Sequence, residues 1–172
     1  MSLTADDIRR LLRLEPLPGE GGYFRETYRS ALTLPPTVLP AWYRAERSAG
    51  TAIYYLLSPG VFSALHRVRG DEVFHFYLGD PVEMLQLLPD GTSHVVVIGT
   101  DVVNGMQPQV VVPGGVWQGC RLVGGGQFAL LGTTMSPGFD PRDFELADRA
   151  ALVGRYPRQR ELITALTRAA EA

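Results

Sequence analysis

His66 and Glu72 lie six residues apart in GVFSALHRVRGDEVFHFYLG, residues 60–79, and each interrupts an apolar stripe. Strand side chains alternate between faces. In VFSALHRV, Phe62, Ala64, His66 and Val68 share one face, and Ser63, Leu65, Arg67 and Arg69 share the other. In EVFHFYLG, Glu72 shares a face with Phe74, Phe76 and Leu78. VWQGCRL repeats the pattern, with Gln118 beside Val116, Cys120 and Leu122. A lone imidazole or carboxylate in an oily interior is costly unless it is paired or neutralised. His66, Glu72 and Gln118 are therefore expected to meet inside, bonded to one another, to a metal or to a guest. Histidine titrates near neutrality and a neighbouring carboxylate orients it, which makes His66 and Glu72 a candidate acid–base pair. Such a pair can remove a proton beside a carbonyl and return it, the chemistry of an isomerase or epimerase. The same residues could instead hold a ligand without turnover, or brace the interior.

Strand 23–29 adds a second candidate surface. Phe24, Glu26 and Tyr28 share a face, and Arg25, Thr27 and Arg29 share the opposite one. An inward Glu26 face adds an acid to the pocket, and an inward arginine face adds anion binding. Parity leaves both open, along with an edge strand making dimer contacts. Phe24, Glu26, Tyr28, Phe62 and Phe74 join Gln118 as candidate ligand-binding residues. His75 lies across the strand from Glu72 and reads as a sandwich-face or interface histidine, and His94 follows a turn toward solvent. Trp42, Trp117, Phe139 and Phe144 could close a pocket mouth or pack outside it. GEGG and GGGQ are turns; neither precedes a helix in a βαβ unit, which argues against a phosphate loop.

The elements that must position these residues are mostly short strands. From Thr51 to Thr134, β-rich runs alternate with SPG, RGD, LGD, PDG, NG and GGG turns, the signature of an all-β sandwich or barrel. Helices flank it. Thr4 caps a first helix that must stop before Pro16; DRAALVGRY ends near Gly154; Pro157 opens a last helix through RQRELITALTRAA. The 172 residues are expected to form one domain, with a barrel core over about 20–135 and a helical extension over 136–172. Sixteen basic residues against eighteen acidic argue against a nucleic-acid surface or an anionic membrane. Cys120 is the sole cysteine, so no intrachain disulfide forms and it reads as a packed thiol. There is no apolar signal core or membrane-length run, and the expected location is the cytoplasm.

Gly60, His66, Glu72 and Gly79 fall on the spacing of the first cupin motif, G-x5-H-x-H-x3-E-x6-G, with Val68 in place of the second histidine. Pro113, Gly115 and Gln118 resemble the second motif, with Gln118 where a histidine would stand and Leu122 in place of asparagine. EGGYFRETYRS, TAIYYLL, VVPGGVWQ and SPGFDPRDFELADR complete a resemblance, over about residues 5–160, to a small cupin family of unknown function distantly related to the dTDP-sugar epimerases. The resemblance implies a jelly-roll barrel, a homodimer, and a small-molecule pocket formed by His66, Glu72 and Gln118 with Phe24, Glu26 and Tyr28 nearby. Most cupin metal sites use three histidines and a glutamate. Here only His66 and Glu72, with Gln118 as a weak neutral ligand, could hold a divalent metal. No cofactor is expected. The function expected is an isomerase- or epimerase-like enzyme on a sugar-like or carbonyl metabolite. The alternatives are a binding cupin without catalysis and, third, a metal-dependent oxygenase-like cupin.

Overall fold

The computed structural model describes residues 3–168. Helix α1 (Ala5–Leu12) leads into β1 (Glu15–Pro16), β2 (Tyr23–Arg29), β3 (Thr33–Leu34), β4 (Arg47–Ser48), β5 (Thr51–Leu57), β6 (Phe62–Arg67) and β7 (Glu72–Gly79). There follow β8 (Val82–Leu87), β9 (Ser93–Ile98), β10 (Gln109–Val112), β11 (Trp117–Leu122), β12 (Ala129–Met135) and β13 (Glu145–Leu146), then α2 (Arg149–Arg155) and α3 (Arg160–Ala165). Two antiparallel sheets make a jelly roll. One runs β1-β2-β5-β12-β7-β10 and the other β13-β6-β11-β8-β9, with β3 and β4 a separate pair. No helix among the described residues is long and apolar enough to cross a membrane.

Apolar residues from both sheets fill the interior: Tyr55, Leu57, Phe74 and Leu131 from one, Met84 and Cys120 from the other. The outer face of the five-stranded sheet is also apolar, because α2 and α3 cover it. Leu65, Leu85 and Leu87 pack there against Leu152, Tyr156, Ile163 and Leu166. This explains strands that read as continuous hydrophobic runs: they are buried on both faces. On the other sheet, α1 sets Ile8 against Leu56 and Leu130.

The first helix starts as its sequence dictates. The Thr4 side chain accepts the Asp7 backbone N–H, the Asp7 carboxylate accepts the Thr4 N–H, and Arg13 closes the helix at φ 55°. Thr4→Ala should cost about 1 kcal/mol, read as a lower urea midpoint. At the other end, the last helix is shorter than expected. A 3-10 turn over Pro157–Gln159 precedes α3, which stops at Ala165. The remainder of the expected helix beyond 168 lies outside the described residues.

Two β-bulges overturn the parity expectations for Phe62 and Tyr28. On β6, Ser63 stands opposite Cys120 and His66 opposite Gln118, so three steps on β6 match two on β11. The extra residue reverses the faces. Ser63 and His66 both point inward, while Phe62 and Leu65 pack outward beneath the C-terminal helices. On β2, Glu26 stands opposite Ile53 and Tyr28 opposite Ala52, two steps against one. Glu26 keeps the interior face, and Tyr28 is turned out, more than half exposed.

Candidate functional site

Gln118 lies at the centre of the polar cluster. Its Nε2 is 2.9 Å from His66 Nε2 and 2.7 Å from Glu72 Oε2. Parity therefore brought these three residues together correctly, but His66 and Glu72 do not pair directly, because the amide stands between them. The tautomer of His66 follows from its neighbours. Nδ1 is 2.8 Å from the Ala64 carbonyl, which can only accept, so Nδ1 carries the proton. Nε2 then presents a lone pair, and Gln118 donates one amide hydrogen to it and the other to Glu72. Gln118 Oε1 is buried without a partner.

Glu72 sits at the start of β7, where Met135 and Val112 flank it in register. Its pKa is pushed up to about 7 by burial, which outweighs the neighbouring His66 imidazole and the hydrogen bonds from Thr133 and Gln118, and the negative charge of Glu20 adds to the rise.

Glu20 is the site residue that alternation could not find. It lies on the turn between β1 and β2 and carries no strand parity. Its carboxylate accepts from Ser63 Oγ at 2.8 Å through Oε1, and Oε2 lies 3.9 Å from His66 Nε2. The glycines around it let the turn enter the barrel. Gly21 has φ 103°, and a Cβ there would lie 2.5 Å from the Phe62 carbonyl oxygen. Tyr55 from the barrel core donates its hydroxyl to the Gly21 carbonyl at 2.9 Å. The bulge on β6 completes the docking, since the Ala64 N–H reaches the Glu20 carbonyl at 2.9 Å.

Glu20, His66 and Glu72 line a small cavity of about 80 Å³ with Phe24, Glu26, Val68, Thr133, Phe139 and Phe144, whereas Gln118, expected to bind the ligand, is fully buried off the wall and bonds His66 and Glu72 instead. Phe24 and Glu26 are therefore on the wall, which answers the question left open for strand 23–29. Arg25 lies on the outer face, over the Tyr54 ring. Glu26 accepts from two guanidinium nitrogens of Arg29, Nε at 2.9 Å and Nη2 at 2.7 Å. Phe74 is inward as expected but sits in the packed core rather than on the cavity wall. Phe62 and Tyr28 are not on the wall. His75 faces outward from Glu72's strand, with Nε2 2.6 Å from Thr134 Oγ1.

The segment after β12 covers the mouth. Phe144 stacks on His66 with ring centroids 5.0 Å apart, and Phe139 meets Phe144 edge-on. Val68 and Phe144 also separate the cavity from an outer groove of about 350 Å³ that carries Trp42, Arg67, Arg69 and Arg142.

The donor set does not fit a cupin metal. Val68 occupies the place of one imidazole, and the Gln118 nitrogen fills the space between His66 and Glu72. An amide binds metal through oxygen, and Oε1 is on the other branch of the side chain. No cluster of three or more metal-ligating side chains is found among the described residues.

Comparison with known proteins agrees with the motifs. The sequence profile of the Cupin superfamily (DUF985) matches residues 6–147. The uncharacterized protein YML079W of Saccharomyces cerevisiae is 33% identical over 132 residues, which span 72% of this chain and 66% of the yeast protein. Among solved structures, protein SO0799 from Shewanella oneidensis has a TM-score of 0.86 at 33% identity, covering 97% of this chain and 99% of that one. A hypothetical protein from Leishmania major has a TM-score of 0.88 at 32% identity, covering 97% of this chain and 100% of its own. Oxalate decarboxylase from Bacillus subtilis shares the fold alone, at 15% identity, a TM-score of 0.52 and 37% of its length. With more than two thirds of its length matched by that profile and a barrel built on both motifs, the chain belongs to the DUF985 family of the cupin superfamily.

Proposed function

We propose that this cupin binds a compact, carbonyl-bearing metabolite inside the barrel and moves a proton on it, as an isomerase or epimerase does. The observation that carries this reading is the hydrogen-bonded chain His66–Gln118–Glu72, whose two ends, His66 and Glu72, lie on the cavity wall with Glu20 among apolar residues. Buried polar groups of this kind are high-stakes, and one with a carboxyl near neutrality is suited to proton transfer. The size of the cavity narrows the guest. Pockets for drug-sized ligands measure about 300–1,000 Å³. A space of about 80 Å³ suits a short hydroxycarbonyl better than an intact hexose.

The test is proton exchange in D2O, followed by proton NMR on dihydroxyacetone and glyceraldehyde. The wild-type protein should wash out the C–H signal beside the carbonyl, and His66→Ala, which removes a ring from the cavity wall, should slow that exchange. A second reading, binding without turnover, is supported by the occupied state of both His66 nitrogens. Saturable binding of these probes with no exchange would establish that reading against the first.

A further inference from the structure

We propose that Glu20, on the turn between β1 and β2, is the catalytic base that takes the proton from the guest, with Glu72 as the acid and His66 and Gln118 as positioning residues. This rests on the proton-transfer reading above and assigns its roles.

The ionisable groups of the site differ in which of their atoms are already engaged. His66 cannot take a proton as it stands: Nδ1 already carries one, bound to the Ala64 carbonyl, and the Nε2 lone pair is occupied by the Gln118 amide. Glu72 Oε2 holds the other hydrogen of that amide. Glu20 differs. Ser63 holds Oε1 at 2.8 Å, which orients the carboxylate, while Oε2 makes no hydrogen bond among the described residues and lies 3.9 Å from the imidazole on the cavity wall. The remaining acid on the wall, Glu26, is neutralised by two bonds from Arg29.

The turn that carries Glu20 is held from several directions. Tyr55 bonds the Gly21 carbonyl, Ala64 bonds the Glu20 carbonyl, and Arg168 bonds the carbonyls of Gly19 and Glu20. A surface turn with no chemical duty has no need of anchors from β5, β6 and the C-terminal segment. Rigid support is what a reacting group requires.

The step balances within the guest. Glu20 Oε2 takes the proton from the carbon beside the carbonyl, and the C–H electron pair becomes the new C=C bond. The carbonyl π pair moves to oxygen, which takes the proton of the Glu72 carboxyl, giving an enol. Burial keeps Glu72 partly protonated near neutrality, so that it can supply this proton. Reversal returns a proton from Glu20 to carbon and one from the enol oxygen to Glu72. No oxidant or co-reactant enters.

Two measurements test the assignment. In the exchange assay, Glu20→Gln should lower the rate by about 10²–10⁴-fold, the usual worth of a general base, while Glu161→Gln, at an exposed position of α3 away from the cavity, stays near wild type. Glu20→Gln should still bind dihydroxyacetone, since the amide retains Ser63 as a partner. The second measurement needs no turnover: glycidol, a small epoxide, should esterify Glu20 ahead of Glu26 and Glu72, as mapped by peptide mass spectrometry. An exchange rate kept by Glu20→Gln overturns the proposal. So does an adduct on Glu72 or His66 in preference to Glu20, or no adduct at Glu20 at all. A wild-type protein that labels at Glu20 but exchanges nothing would sink the proton-transfer reading on these probes and leave Glu20 as the guest-facing nucleophilic carboxylate.

Discussion

Arg47→Met should destabilise the protein by about 3–5 kcal/mol, the usual consequence of leaving one member of a buried ion pair alone. Arg47 on β4 and Asp143 are both nearly inaccessible to solvent and meet through two bonds, Nε to Oδ2 at 2.7 Å and Nη2 to Oδ1 at 2.8 Å. Arg47 also donates to the carbonyls of Ala45 and Glu46, so its charge is fully used. Without it, the Asp143 carboxylate retains, among the described residues, only Arg69, with Nε at 3.5 Å on a half-exposed side chain. The effect reaches the site, because Asp143 precedes Phe144, the ring stacked on His66. Urea unfolding should show the loss, and amide exchange should rise over residues 139–145. Replacing both partners, as in Arg47→Met with Asp143→Leu, should recover much of the stability, since a packed apolar pair avoids the cost of desolvating two charges. A wild-type midpoint in the single variant would refute the account.

Glu72→Gln should have the second large effect, visible as a change in pH dependence. The carboxyl titrates near 7 in the folded protein against 4.5 for a free glutamate. The folded state therefore holds the proton more tightly than the unfolded chain. Wild-type stability from this group is greatest below pH 4.5, declines as pH rises through 4.5 to 7, and levels off above. The gap between 4.5 and about 7 corresponds to about 3 kcal/mol. The amide cannot ionise, so the variant should lack this decline and exceed wild type at pH 8, with the two converging at pH 4. Urea midpoints at pH 5 and 8 for both proteins measure it, and parallel curves would show that burial imposes no such penalty. The same penalty is what keeps a proton available in the cavity at neutral pH.

Much of the site could be read from alternation. His66, Glu72 and Gln118 each occupied the odd polar place in an apolar stripe, and burial without partners is costly enough to predict their convergence. Phe139 and Phe144 were harder to place, because the segment after β12 has no period. From the sequence both rings could equally close a pocket mouth or pack outside the barrel. The faces of β2 and β6 were misread in part for one reason. Alternation holds only while each residue meets one partner, and a single inserted residue sends every later side chain to the opposite face. His66 kept its inward place while Phe62, on the near side of the bulge, did not.

By itself, the sequence determined the class of fold, the short strands and their turns, the capped first helix, and the three polar residues that the barrel interior must accommodate. These depend on local period and on the cost of burying a lone charge, and both are carried by neighbours along the chain. The tertiary structure alone decided that Glu20 enters the barrel, that Gln118 parts His66 from Glu72, and that Phe144 covers them. Each of these depends on register between strands far apart in sequence and on a turn anchored by distant groups, and no window of the chain contains that information.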